Sequence, residues 1–259
     1  MNKWLILIVC SFLTITAQGS ENCFLATENG KIIKQEGECT KRHSPFSTFK
    51  IPLAVMGFDA KILKTPLEPE LAFTPELRQQ LGDLFQPNKY PIMKFHEKVQ
   101  TPTSWMQYSV IWYSQEITKH LGKDNFIAYI NKFSYGNKDV SGTPGKNNGL
   151  SHAWLGSSLQ ISPIEQVEFL EKLSKNELPA SKNAQQNTIQ IIKQEKIWDD
   201  WQLFGKTGGS YQTGWFVGWI EKGDRRIIFA QYIEADNLPI SAGRIAKEIV
   251  KDNLISLIT

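Results

Sequence analysis

Trp201-Gln202-Leu203-Phe204-Gly205-Lys206-Thr207-Gly208 marks the point at which the chain turns from helical patterning to strands. From residue 198 onward short apolar runs cover 201–205, 213–221 and 226–233, joined by turns that contain Gly and Asp. At the opposite end, residues 23–27 and 31–35 read as two more strands around Asn29-Gly30, a dipeptide suited to the positive φ angles of a tight hairpin. Strands at both ends with helices between them imply one mixed sheet whose first and last strands meet, plus an inserted helical region. This is a single α+β core with no linker and no internal repeat.

The middle of the chain reads as helices broken by loops. One helix is expected near Ser47, with Pro52 in its early turns, where a missing donor costs least and a slight kink results. Residues 65–100 are Pro-rich and weakly periodic, which suggests short helices and loops. Thr103 can cap a helix running through Trp112 and Tyr113, and Asp124 can cap another through Phe133. Residues 141–149 are loop by composition. Ser162-Pro163-Ile164-Glu165 supplies the cap, first-turn proline and closing glutamate of a helix through Leu173. Further helices cover 184–193 and, as an amphipathic C-terminal element, 241–258.

A chain of 259 residues, 41% hydrophobic and 21% charged, can bury a full core. The net charge of +3 is spread without a block of Lys or Arg and without aromatic-basic alternation, so nucleic acid is not an expected partner. Lys3, the apolar run 4–13 and the small and polar residues ending Ala17-Gln18-Gly19 read as a secretory signal over 1–19, leaving one domain over 20–259. The alternative is an uncleaved anchor, for which the run is shorter than the ~20 residues a span needs. Cys10 would leave with the signal, and Ile8-Val9 beside it are bulky where a lipidation site wants a small residue. Cys23 and Cys39 remain, an even pair flanking the Asn29-Gly30 turn, and a disulfide is expected between them. Two unpaired thiols are the alternative, since Cys39 lies a few residues past the position facing Cys23.

Ser47-Thr48-Phe49-Lys50 puts a hydroxyl and an amine three residues apart, neighbours on a helix surface. A serine hydroxyl is a weak nucleophile at neutral pH until a base lies within hydrogen-bond reach. That spacing alone arises about once by chance in a chain this long. Lys206-Thr207-Gly208 is rarer and Tyr135-Gly136-Asn137 rarer still, so their ordered combination carries the weight. Taken singly, Ser109 can be a back-bonded helix serine, Trp154 a core aromatic and Tyr135 part of a plain turn. Lys206 and Arg244 can be solvated surface charges. His43, His96, His120 and His152 show no ligand spacing and read as structural or exposed, and no metal is expected.

With Ser47-Thr48-Phe49-Lys50, Ser109-Val110-Ile111, Tyr135-Gly136-Asn137, Trp154 and Lys206-Thr207-Gly208 in this order, the chain resembles the class D β-lactamases over essentially its whole mature length. Residues 154–163 and 214–219 look like the corresponding family segments, and Arg244 falls where the family has its late arginine. The resemblance implies an antiparallel central sheet flanked by helices, with an inserted all-helical region, and hydrolysis of β-lactams through a serine acyl-enzyme. Ser47 would attack the β-lactam carbonyl, with the backbone N–H groups of Ser47 and Gly209 as oxyanion hole. Lys50 would be the base for both half-reactions after taking up carbon dioxide as a carbamate, with Trp154 holding it and no other cofactor. A neutral Lys50 requires its pKa to fall by about three units, close to 4 kcal/mol of desolvation. Ser109 would relay a proton to the leaving nitrogen.

Lys206, Thr207 and Arg244 would bind the substrate carboxylate, and Tyr135 would wall the site. Ile111 stands where the family usually has Val, which bears on water access to Lys50. The implied partner is a small-molecule β-lactam; the destination is the periplasm, which the family favours, or the outside medium, and the oligomeric state is open. Two other functions share these motifs: a β-lactam sensor that stays acylated, and a penicillin-binding transpeptidase or carboxypeptidase. Sensors usually hang from a multi-span membrane region, and the transpeptidases commonly carry Ser-x-Asn, an amide that Ser109-Val110-Ile111 lacks.

Overall fold

The computed structural model describes residues 22–236 and 241–258. The signal-like segment and its expected cleavage point after Gly19 lie outside the described residues. Asn29 and Gly30 have φ of 54° and 74°, so β1 (Cys23–Glu28) folds directly back into β2 (Lys31–Gly37). A 3-10 turn, Phe46–Phe49, then leads into α1 (Lys50–Asp59), followed by α2 (Pro75–Leu81), α3 (Pro102–Tyr108), α4 (Ile111–Lys132), the single turn α5 (Gly149–His152), α6 (Pro163–Ser174) and α7 (Lys182–Ile192). The chain closes with β3 (Lys193–Ile197), β4 (Trp201–Gly209), β5 (Thr213–Lys222), β6 (Arg225–Glu234) and α8 (Ala242–Ile258).

The six strands form one sheet in the order β2-β1-β6-β5-β4-β3. Pairing is antiparallel throughout, as the family resemblance implies and unlike the mixed sheet read from strand placement alone. The first and last strands do meet: β1 lies against β6 from Cys23↔Tyr232 to Glu28↔Ile227. Gly37, paired with Cys23, has φ 75° and turns the chain back, so Cys39 reaches Cys23 in a disulfide with Cα atoms 5.2 Å apart. Closing a loop of this 16-residue separation stabilises the fold by about 3 kcal/mol.

Strand alternation sorts side chains onto two cores. Phe24, Ala26, Phe216, Ile220, Ile227 and Phe229 face α8, which presents Ala242, Ala246, Val250 and Leu254 at a four-residue spacing. Leu25, Trp215, Val217, Trp219, Ile228 and Ala230 face the larger core shared with α1, α4 and α6. On β4 the same period puts Lys206 and Gly208 on the side of the helical region, where the Phe46–Phe49 turn packs.

Three local expectations shift. The cap of α3 is Thr101, whose hydroxyl accepts from Ser104 N at 3.2 Å, with Pro102 in the first turn, and the helix stops at Ser109 instead of continuing to Tyr113. Ser109 is left-handed (φ 61°, ψ 37°), which ends α3 and redirects the chain into α4. The break expected at Asp124 falls at Gly122 (φ 72°, ψ 166°), where a residue without Cβ takes the non-helical angle. Lys193 belongs to β3, a strand of mostly exposed polar residues whose sequence shows no alternation to announce it. The expected caps at Ser162 and the box closed by Glu165 are present.

Candidate active site

The turn that carries Ser47 is tied down from three sides. Ser44 Oγ donates to the Trp154 carbonyl (3.0 Å) and accepts from Gly156 N (2.8 Å), while the Ser44 carbonyl accepts from Trp215 Nε1 (3.0 Å). Thr48 Oγ1 donates to the Pro45 carbonyl (2.7 Å) and accepts from Gln166 Nε2 of α6 (3.0 Å). Behind the turn lies β4: a Cβ on Gly208 would stand 2.8 Å from Thr48 N and 2.9 Å from the Pro45 carbonyl. Only glycine lets the strand and the turn approach this closely.

Lys50 opens α1 with 1% of its surface exposed and its Nζ 3.5 Å from Ser47 Oγ. Burial holds its pKa well below the ordinary lysine range, and the nearby Lys206 charge pushes the same way. Both effects favour the neutral amine, the form a serine needs as its base. Its chain neighbour Phe49 stacks on Trp154 with ring centres 5.2 Å apart, so Trp154 forms part of the apolar wall around the start of α1.

Ser109 sits half-buried at the left-handed stop of α3, and Ile111 begins α4, also half-buried. The carbonyl just before Ser109 is clamped: His96 Nε2 lies 2.8 Å from the Tyr108 carbonyl, and the rings of Phe95 and Tyr108 stack at 4.6 Å. His96 is buried and its pKa is lowered to about 4 by loss of hydration, then by the Lys50 and Lys206 charges, against the opposing bond to Tyr108. At neutral pH it is uncharged and donates from Nε2. The sequence names His96 only as a structural or exposed histidine, and Ser44 and Gln166 escaped it, because nothing in their spacing marks them; each acts through a backbone or hydroxyl group that only the fold brings near.

On β4, Lys206 is 5% exposed and donates to the Thr207 carbonyl at 2.9 Å. Its pKa is lowered to about 7, by burial first and by Lys247 second. β3 pairs with β4 only as far as Phe204, so the edge of β4 from Lys206 to Gly209 is uncovered by β3 and faces the site. Gly209 has φ 135°, and a Cβ there would stand 2.0 Å from the Thr213 carbonyl. A Cβ on Gly243 would stand 2.7 Å from the Gly208 carbonyl, so the start of α8 packs on β4 and Arg244, exposed, follows immediately.

Tyr135 lies in the core. It is 1% exposed and packs edge-on against Phe49 (5.6 Å) and Phe169 (5.4 Å), with burial pushing its phenol pKa up. It packs on Phe49, next to Lys50, from within the core. The next residue, Gly136, crosses tightly against another segment of the chain: a Cβ there would stand 2.0 Å from the Gln160 carbonyl.

Across the mouth, Tyr211 of the β4–β5 turn meets Tyr90 (4.8 Å) and lies under Lys89 (4.9 Å), linking the turn after Gly209 to the segment that leads to His96. A cavity of about 640 Å³ adjoins Lys206, Thr207 and Arg244 and includes none of Ser47, Lys50 or Ser109. Among the described residues no group of three or more His, Cys, Asp or Glu is placed to hold a metal ion. The arrangement can do one thing well: an uncharged amine next to a hydroxyl, with cations beyond it for an anion, suits acyl transfer to serine.

Residues 16–254 match the family described as penicillin binding protein transpeptidase domain. Beta-lactamase OXA-9 of Klebsiella pneumoniae is 39% identical over 232 residues, 85% of this chain and 81% of that protein. Beta-lactamase OXA-1 of Escherichia coli is 38% identical over 224 residues, 82% of this chain and 75% of that protein. The crystal structure of the OXA-427 class D β-lactamase superposes with a TM-score of 0.82 at 40% identity, covering 92% of this chain and 98% of that one.

Proposed function

The chain belongs to the class D serine β-lactamases, and from that membership we propose how its own residues hydrolyse β-lactams. Ser47 Oγ attacks the lactam carbonyl, the ring C–N bond breaks, and a water later attacks the resulting ester. The observation that carries the reading is Lys50 Nζ, buried, 3.5 Å from Ser47 Oγ, with its pKa held down by that burial. A neutral amine in a dry pocket has the free electron pair that adds to carbon dioxide, and this is the fit that supports carbamylation of Lys50. When bound, the added carboxylate supplies a base for the serine proton and for the hydrolytic water.

The remaining roles fall to residues already in place. Trp154, on the apolar wall stacked with Phe49, is the group we assign to hold that carboxylate through its indole N–H. Ser109, fixed by the clamp on Tyr108, passes a proton to the departing nitrogen. The N–H groups of Ser47 and Gly209 stabilise the developing oxyanion, each worth about 3–4 kcal/mol of barrier. Lys206, Thr207 and Arg244 anchor the ring carboxylate, and substrate binding restores the proton that burial makes easy for Lys206 to lose. Ile111 limits water at the entrance to Lys50. We place the reaction in the periplasm, supported by the signal-like residues 1–19 and the Cys23–Cys39 disulfide; no helix among the described residues is long and apolar enough to cross a membrane.

The test is the purified protein with the chromogenic cephalosporin nitrocefin. Sustained turnover is expected, and Lys50→Ala should abolish it. One equivalent of product followed by none would instead make the protein an acylated sensor or transpeptidase.

A further inference from the structure

The 640 Å³ cavity is lined by none of Ser47, Lys50 and Ser109, the groups assigned to bond making and proton transfer. It begins at Lys206, Thr207 and Arg244 and runs away from Ser47 along the edge of β4, bounded by α3, the end of α7 and α8. In cephalosporins and carbapenems the ring carboxylate and the variable arm of the second ring occupy neighbouring carbons. A carboxylate anchored at Lys206, Thr207 and Arg244 therefore delivers that arm into this cavity.

The walls carry Lys193, Lys206, Arg244 and Lys247 against Glu195 and Glu248, a surplus of two positive charges when Lys206 is protonated. The ring carboxylate satisfies one of them and leaves one. Lys247 is the cation built into the wall: its Nζ donates to Gln194 Oε1 at 2.6 Å and lies 3.1 Å from the Glu195 carboxylate. That carboxylate is shared with Lys251 at 3.5 Å, which also reaches Glu248 at 3.7 Å, so Lys247 shares its only paired carboxylate among the described residues while Lys251 has a second. Gln194 Nε2 in turn donates to the Gly205 carbonyl at 2.6 Å, fixing the assembly to the strand whose next residue is Lys206.

We propose that this cavity is the subsite for the arm beside the β-lactam carboxylate, and that Lys247 makes it select an anionic arm, one bearing a carboxylate or sulfonate, over a cationic one. The inference rests on the carboxylate being anchored as described under the proposed function. It makes Lys247 a specificity residue that acts through binding, so its signature belongs in KM.

The experiment uses three cephalosporins with one common C7 acyl group and, on the C3 methylene, a neutral acetoxy, a cationic pyridinium or a sulfonate-bearing thiotetrazole. Ring opening is followed at low salt for the wild type, Lys247→Gln and Lys247→Glu. In the wild type, kcat/KM should favour the sulfonate over the pyridinium by about tenfold, the size of step one charge near a protein surface supplies. Lys247→Gln should shrink that ratio to about threefold or less, Lys247→Glu should reverse it, and added salt should weaken it in the wild type. Each ratio is taken within one preparation, so a partly folded variant leaves it unchanged. An equal ratio in all three proteins, or a wild type that prefers the pyridinium, overturns the proposal while leaving hydrolysis intact. Failure to open any of the three rings would overturn the hydrolase reading itself and take the subsite with it.

Discussion

Gly208→Ala isolates the contact on which the oxyanion hole depends. The new methyl would meet Thr48 N at 2.8 Å, the Pro45 carbonyl at 2.9 Å and Thr48 Cγ2 at 3.0 Å, where ordinary contact begins at 3.4 Å. Either β4 or the Phe46–Phe49 turn must retreat by about half an ångström, since the atoms met are largely backbone and cannot rotate away. The two oxyanion donors we assign lie one on each side of this contact, Ser47 on the turn and Gly209 on the strand. Opening the gap carries a donor from about 2.9 Å to about 3.4 Å from the oxygen, past useful hydrogen-bond length. With one donor largely lost, kcat on nitrocefin should fall by about 10²-fold, short of the roughly 10³ for complete loss. Overpacking of this kind also costs about 1–3 kcal/mol of stability. The control is Gly223→Ala in the β5–β6 turn, where φ is 57° and a Cβ meets nothing within 4 Å. That variant bears the left-handed backbone penalty of about 1–2 kcal/mol with no change at the site. Melting temperature and kcat measured on both variants separate the effects: both should melt earlier, and only Gly208→Ala should be slow. A Gly208→Ala enzyme with wild-type kcat would refute the reasoning.

The lowered pKa of Lys50 sets the sign of a pH response: the amine is neutral above its depressed value and gains a proton as pH falls through it. Activity should therefore drop on acidification, with the carbamate lost, and return on neutralisation with bicarbonate faster than without; indifference to bicarbonate would count against carbamylation. His96 should act on the chemistry through Tyr108 and Ser109, so His96→Leu is expected to lower kcat about tenfold or more by losing the Nε2 N–H aimed at that carbonyl. His96→Gln, whose amide nitrogen can occupy the place of Nε2, should restore most of it at equal melting temperature, an outcome a purely structural histidine would not give.

Much of the fold was legible because it rests on local chemistry. Asn29-Gly30 fixes the first hairpin, Ser162-Pro163-Ile164-Glu165 fixes the start of α6, and β5 and β6 stand out as apolar runs because each strand is buried on both faces. β3 was invisible because its stability comes from hydrogen bonds to β4 and from Gln194 and Gln202 side chains, not from any apolar pattern. Ser109 was misplaced inside a helix because its left-handed angle is imposed by tertiary clamps at Tyr108 and by the restart at Ile111, neither of which a serine announces.

The site shows the same division more sharply. A nucleophile and base three residues apart are a local fact, and so Ser47 and Lys50 could be paired from spacing. Depth is a global fact. Trp154 and Tyr135 are both aromatic, both 1% exposed and both packed on Phe49, yet one stacks flat at 21° and the other meets the ring edge-on at 67°. Residue type and order cannot tell these apart, because the distinction is set by which backbone crosses beside each: Gly136 pressed against the Gln160 carbonyl for Tyr135, and the Ser44 link to the Trp154 carbonyl for Trp154. The same logic governs Lys50 itself. Its spacing names it as a candidate base, but it is burial, with the Lys206 charge beyond, that lowers its pKa. A lysine at the same spacing on an exposed helix would stay charged and could not take up a proton from Ser47.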